Sequence, residues 1–139
     1  LIYAGGIYNA KTLLASKTLG AGGFQIGSLL LGSKESALKD FEKERLRKVR
    51  EADVVLTRSF SGRFARGIRN TFISDTEETE FILPYPYQNK LTSELRRVAK
   101  INQNVEFVNI WVGQSINDFS GQSTAAIIRN LIKQVETNN

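Results

Sequence analysis

The chain has 139 residues, 41% of them hydrophobic and 24% charged, the balance of an ordinary globular fold rather than a disordered or fibrous one. It contains no cysteine and no histidine, which excludes a disulfide framework, a thiolate nucleophile, a cysteine-ligated metal and the commonest general base. The 19 Lys and Arg against 14 Asp and Glu leave a net charge of +5, which points to an anionic partner, and no apolar run approaches the roughly 20 residues that span a bilayer.

Leu1, Ile2 and Tyr3 form an apolar, partly β-branched run ended by Gly5-Gly6, the pattern of a buried parallel strand. Asn9 stands where it caps a helix in which Ala10, Leu13, Leu14 and Thr18 recur at helical spacing, and Gly20 stands where a helix takes its C′ glycine. Phe24 and Ile26 alternate with Gln25 in a second short strand that breaks at Gly27-Ser28, with Leu29-Leu30-Leu31 beyond. The stretch therefore predicts two consecutive strand-to-helix turns. Gly5-Gly6 and Gly27 each put backbone without a side chain at the carboxyl end of a strand, where amide N–H groups and a helix N-terminus suit a phosphate. Either corner alone reads as a tight turn; two corners one βα unit apart favour a shared anionic ligand.

Ser36 is the expected N-cap of a charged helix ending near Glu51, with Leu38, Phe41, Leu46, Val49 and Ala52 on its apolar face. Asp53 to Leu56 reads as a strand. It introduces a purely basic run, Arg58 to Asn70, in which Arg58, Arg63, Arg66 and Arg69 alternate with Phe60, Phe64, Gly62 and Gly67. Three readings fit those residue types: a loop whose arginines pair with carboxylates over two buried phenylalanines, a contact to a phosphate, or a grip on single-stranded nucleic acid. Asp75 to Glu80 is acidic and nearly without apolar residues, the composition of a mobile surface loop. Pro84 and Pro86 force Leu83 and Tyr85 toward extended geometry and present Tyr85 and Tyr87 on a stiff segment, before a helix from about Gln88 to Lys100. Val105 to Trp111 reads as a strand or extended return, with Trp111 as a core anchor. Ile127, Ile128, Leu131, Ile132 and Val135 mark a helix from about Gln122 to Glu136 that packs the tail onto the fold.

Four blocks carry a resemblance. They are Ala4-Gly5-Gly6-Ile7 with Gly23-Phe24-Gln25-Ile26-Gly27-Ser28, then Leu56 to Asn70, then Pro84-Tyr85-Pro86-Tyr87-Gln88-Asn89, then Trp111-Val112-Gly113-Gln114. In this order they resemble the C-terminal portion of the flavin-mononucleotide barrel enzymes of the nitronate monooxygenase family, formerly 2-nitropropane dioxygenases. The resemblance implies an α/β fold, the last two βα units of a TIM (β/α)8 barrel with a mostly helical tail, in which phosphate sites follow strands seven and eight. It divides the chain into 1–33, the two βα units; 34–104, a helix and loop-rich cap; and 105–139, a return segment and C-terminal helix.

By the same resemblance the cofactor is FMN, held at its phosphate by Gly5, Gly6, Gly27 and Ser28. Tyr85, Tyr87 and Lys90 line the substrate, and Gln114 approaches the flavin. The reaction oxidises an alkyl nitronate with O2, and the family's catalytic histidine lies in an earlier segment, so no catalytic residue and no metal site is assigned here. A closed barrel takes roughly 250 residues. The chain, which has no methionine, is thus expected to be an incomplete gene product, inactive alone; the alternative is a half-barrel completed by dimerisation. A cytoplasmic enzyme, compatible with a homodimer and without nucleic-acid or membrane partners, is the expectation. Two alternatives stand beside it: a flavin-dependent enoyl-acyl carrier protein reductase of the same fold, and a basic nucleic-acid-binding module.

Overall fold

The computed structural model describes residues 1–113, 116 and 119–138 of an α/β chain. The chain divides into two units, Leu1–Arg47 with Gly113–Asn139, and Lys48–Val112, with boundaries other than the 33/34 and 104/105 that the resemblance implies. Among the described residues no helix is long and apolar enough to cross a membrane.

In the first unit, β1 (Ile2–Ala4) and β2 (Gly23–Gln25) pair in parallel, with α1 (Ala10–Thr18) as the connecting helix. The start of α1 is set locally. The Asn9 side chain accepts from the Thr12 N–H at 3.0 Å, and the Thr12 hydroxyl accepts from the Asn9 N–H at 3.3 Å, a reciprocal capping box. Its end is set by Gly20, at φ +92° in the left-handed C′ position that a β-carbon disfavours. The core of this unit gathers Ile7, Leu29, Ile127 and Leu131, with Leu13, Phe24 and Ile26 packed against them. Two of the four come from α6 (Thr124–Thr137), where Ile127 and Leu131 lie one turn apart and face inward. Ser123 caps α6 by accepting from the Ala126 N–H at 3.2 Å, and Glu35 accepts from the Thr124 N–H at 2.8 Å.

Three expectations are corrected here. β1 is not buried: Ile2 is 72% exposed, because pairing with β2 along one edge satisfies backbone groups without covering side-chain faces. The Gly27 corner opens onto a short 3-10 turn, Ser28–Leu30, rather than a helix. The charged helix, α2, spans Asp40–Lys48 and starts four residues past Ser36, because the Glu42 carboxylate accepts from the Lys39 N–H at 2.9 Å and fixes the first turn there. Glu42 is itself fully buried and Leu46 is buried too, although the sequence pattern leaves Glu42 off the apolar face of the helix.

In the second unit, β3 (Val54–Thr57) and β4 (Ala65–Ile68) are antiparallel, with Val54 opposite Ile68 and Thr57 opposite Ala65. The basic run is therefore not one loop: its second half is a strand. Residues 108–112 extend along β4, the Ile68 N–H donating to the Ile110 carbonyl and the Val112 N–H to the Arg66 carbonyl, both at 3.1 Å. Residues 105–107 form a 3-10 turn instead of the start of a strand. Trp111 lies opposite Gly67, where an added β-carbon would stand 3.1 Å from the indole ring, so the pairing needs glycine. Phe60 is fully buried against Phe72, at 4.7 Å between centroids, and against the edge of Trp111 at 6.3 Å; Phe64 is 66% exposed, so one of the two phenylalanines is core.

The chain from 58 to 62 is held by side chains distant in sequence. The predicted helix from Gln88 is two helices, α4 (Tyr87–Leu91) and α5 (Ser93–Ile101), after α3 (Thr71–Thr76). At the break between α4 and α5, the buried Thr92 hydroxyl donates to the Phe60 carbonyl at 2.6 Å, and from α4 the Gln88 amide donates to the Ser59 carbonyl at 2.6 Å. Gln88 also accepts from the Leu83 N–H at 3.1 Å, tying both segments to one side chain. The Asp75 to Glu80 stretch is likewise not a loop at its start: Asp75 and Thr76 complete α3, and Glu77 turns its carboxylate onto residues 57–59. Glu77 accepts from the hydroxyls of Thr57 and Ser59 and from the N–H groups of Arg58 and Ser59. Burial pushes the Glu77 carboxyl up, but the Ser59 and Thr57 hydroxyls and the two amides together outweigh it and leave it below its ordinary value.

Two stability predictions follow from this packing. Gly62 sits at φ +81°, and a β-carbon there would collide with the Leu83 carbonyl and approach the Tyr85 nitrogen to 2.6 Å. Gly62→Ala is therefore expected to cost more than about 2 kcal/mol in urea unfolding, whereas Gly121→Ala, which meets nothing within 4 Å, stays near neutral. A carboxyl whose folded pKa is depressed contributes stability above its unfolded value and loses it as pH falls through the folded one. The protein should accordingly lose stability on acidification below pH 4.5, and Glu77→Gln, measured across the same range, should flatten that loss while costing about 1–2 kcal/mol at neutral pH.

Candidate functional site

The parallel register of Ile2 with Gly23, Tyr3 with Phe24 and Ala4 with Gln25 makes the carboxyl ends of β1 and β2 flush. Gly5 and Gly6 leave one strand and Gly27 and Ser28 follow the other, so all four leave the same edge of the pair. The Gly5 N–H reaches the Gln25 carbonyl at 3.5 Å, a loose last rung between the two corners. Gly5 at φ +89° and Gly6 at φ +70° both lie in the left-handed region, a double turn that only consecutive glycines adopt without strain. Beside Gly5 and Gly27 the space a β-carbon would take is open to 4 Å.

The donors at this edge are main-chain groups. Among the described residues no acceptor faces the N–H of Gly6, Ile7, Gly27 or Ser28. The residues present thus fit an oxyanion: several main-chain donors, no competing carboxylate at either corner, and room where side chains are missing. Ser28 adds a hydroxyl whose oxygen accepts from the Gly113 N–H at 2.7 Å. Tyr3, within β1, brings its hydroxyl within 3.8 Å of the place a Gly6 β-carbon would occupy. Next to the two corners opens a cleft of about 310 Å³, lined by Tyr8 and Asn9 after the first corner, Leu29 after the second, and Ser120, Asn130 and Gln134 from the C-terminal segment. Its polar groups are hydroxyls and carboxamides, without a charge.

The other named residues belong to the second unit. Tyr85, Tyr87 and Lys90 are all exposed, with Tyr87 and Lys90 one turn apart on α4. The Arg63 guanidinium stacks over the Tyr85 ring at 4.3 Å, so Tyr85 is fixed by a cation of the basic run. The expected pairing of that run with carboxylates takes another form at its start: Glu77 binds the backbone of Arg58 and Ser59. Gln114 lies outside the described residues. Sequence reasoning missed Gln88, Thr92 and Gly113 as organising residues. Gln88 and Thr92 each bind a backbone carbonyl at least 29 residues away, and the Gly113 N–H binds a side-chain hydroxyl 85 residues away, which no local pattern registers.

Comparison with known proteins follows the same stretch. A family model described as Nitronate monooxygenase matches residues 1–135. A probable nitronate monooxygenase of Staphylococcus aureus (strain Newman) is 38% identical over 136 residues, covering 97% of this chain and 38% of the relative. One from Staphylococcus haemolyticus is 36% identical over 138 residues, covering 99% of this chain and 39% of the relative. The chain therefore spans about two fifths of the length of these relatives. Among solved structures, nitroalkane oxidase from Streptomyces ansochromogenes aligns with a TM-score of 0.90 at 28% identity, over 98% of this chain and 39% of its own. FabK from Thermotoga maritima aligns with a TM-score of 0.79 at 29% identity, over 99% and 44%. With both glycine corners, the Arg58 to Asn70 run and the Tyr85 to Asn89 block inside a match that reaches residue 135, the chain belongs to the nitronate monooxygenase family.

Proposed function

We propose that this chain is the C-terminal part of a (β/α)8 barrel that binds FMN and, in the whole enzyme, oxidises alkyl nitronates with O2. The observation that carries the reading is the edge at which Gly5, Gly6, Gly27 and Ser28 emerge together with main-chain donors that no described acceptor uses. In this reading those amides, with the Ser28 hydroxyl, hold the phosphate of FMN. When bound, FMN supplies the electron transfer between nitronate and oxygen. The chain's own residues anchor the cofactor and shape the approach to it. Tyr85, Tyr87 and Lys90 line the substrate, the Lys90 ammonium attracting an anionic nitronate and the tyrosines offering rings and hydroxyls. The proton-accepting histidine belongs to another part of the enzyme, since this chain has none, and the chain alone is inactive. A small-molecule substrate, a cytoplasmic setting, a homodimer, and the absence of nucleic-acid or membrane partners complete the proposal.

A second reading, the flavin-dependent enoyl-acyl carrier protein reductase, draws support from the likeness to FabK. The Staphylococcus relatives and the basic run favour the first. The intact enzyme given propionate 3-nitronate or the 2-nitropropane anion should consume O2, and given an enoyl thioester with NAD(P)H should leave both unchanged; the reverse pattern would exchange the two readings. Gly6→Val is expected to weaken FMN binding more than about tenfold, because a β-branched residue at φ +70° must abandon the turn. Flavin absorbance of the purified variant measures it, and a normally yellow preparation would overturn the phosphate assignment.

A further inference from the structure

One hydrogen bond at the second corner joins residues 85 positions apart. The Gly113 N–H donates to the Ser28 hydroxyl oxygen at 2.7 Å, and Gly113 is the residue at which the chain re-enters the first unit. A serine hydroxyl has one hydrogen to donate and two lone pairs that accept. With one lone pair occupied by the Gly113 amide, the hydrogen is directed elsewhere, and among the described residues the Ser28 hydroxyl has no recorded acceptor. It stands beside the amides of Gly27 and Ser28, which no acceptor among the described residues uses. The contact also explains the glycine at 113: a β-carbon there would lie 3.2 Å from the Ser28 oxygen, tighter than an unstrained contact.

We infer that Gly113 is a positioning residue whose main-chain N–H sets the Ser28 hydroxyl as a donor, so that the second corner binds a dianionic phosphate ester in preference to its phosphate-free analogue. The inference rests on the FMN reading of the corners. It adds that residue 113, in the third sequence block after the glycine corners, serves the phosphate through Ser28 rather than by touching it. A hydroxyl held this way does not need to break a bond or reorient when the phosphate arrives.

The test compares FMN with riboflavin, which share the ring and ribityl chain and differ in the phosphate, by titrating flavin fluorescence into apo-enzyme prepared from the intact protein. Ser28→Ala should weaken FMN about tenfold and leave riboflavin within about twofold, since only a hydrogen bond to a charged group is lost. Gly113→Ala should weaken FMN about threefold, again sparing riboflavin, and in the Ser28→Ala background should have no further effect, because it acts through that hydroxyl. The phosphorus resonance of bound FMN gives a second readout and should shift in both single variants. If the unsubstituted protein binds no FMN, the underlying reading falls and the inference with it. If it binds FMN but the two substitutions add independently, or riboflavin weakens as much as FMN, the reading of the corners survives and the role given to Gly113 does not.

Discussion

The parallel pairing of β1 with β2 is the constraint on which the candidate site depends. Both strands are three residues long, so the ladder that aligns their ends is minimal, and its register decides whether the two glycine corners meet. A slip of one residue would displace one corner by about 3.3 Å and turn every side chain of that strand to the opposite face. So short a ladder does not hold register by itself. It is held by what flanks it: α1, closed at one end by the Asn9–Thr12 box and at the other by Gly20, and α6, whose Ile127 and Leu131 pack with Ile7 and Leu29 just past each corner. The residues that follow the glycines are thus the core itself. Ile7 and Leu29 fix the exits of the two turns, and the glycines between strand and core are left to satisfy only backbone geometry.

The second unit solves a different problem, holding the start of a cationic run in place through its main chain. Three side chains bind its main chain: the Glu77 carboxylate at the amides of Arg58 and Ser59, Gln88 at the Ser59 carbonyl, and Thr92 at the Phe60 carbonyl. Phe60, fully buried under Trp111 and Phe72, adds the apolar anchor. A carboxylate that binds amides satisfies its own negative charge with dipoles. The Arg63 guanidinium then lies over the Tyr85 ring in the exposed layer rather than in an ion pair with Glu77. Different groups thus order the backbone of the run and engage its Arg63 side chain.

What could be read from the sequence was what the sequence encodes locally. The Asn9 cap, the Gly20 stop and the Ile127–Leu131 stripe depend on residues within a turn or two of each other, and they appear in the structure where the pattern puts them. The family blocks added the order of the pieces. What escaped were groups whose partners lie far along the chain. Glu77 looks like one more acid in a polar stretch until residues 57–59 fold beside it, and Thr92 looks like mid-helix until the Phe60 carbonyl captures its hydroxyl and a break opens there. The buried Glu42 is the same kind of miss, since its carboxylate at the Lys39 amide moved the helix start past the better-looking cap at Ser36. Exposure of β1 escaped for the converse reason: composition reports that a strand has apolar faces, not that anything covers them.

The net charge of +5 invites the inference that an anion binds where the cations are, yet the corners suited to an oxyanion contain no charged residue. Gly5, Gly6, Ile7, Gly27 and Ser28 offer amides and one hydroxyl, while the purely basic run belongs to the other unit. The two kinds of attraction differ in reach. Exposed guanidinium groups act through a field that salt screens within about 8–10 Å and that raises encounter rates for any anion. Amide dipoles act only on an oxygen already in hydrogen-bond contact, and they discriminate by direction. A site made of the second kind draws its selectivity from backbone geometry, which substitution reaches only through the residues that set it. Where backbone geometry does the selecting, the informative positions at these corners are the left-handed glycines Gly5 and Gly6, whereas an inventory of charge alone points to a different part of the chain.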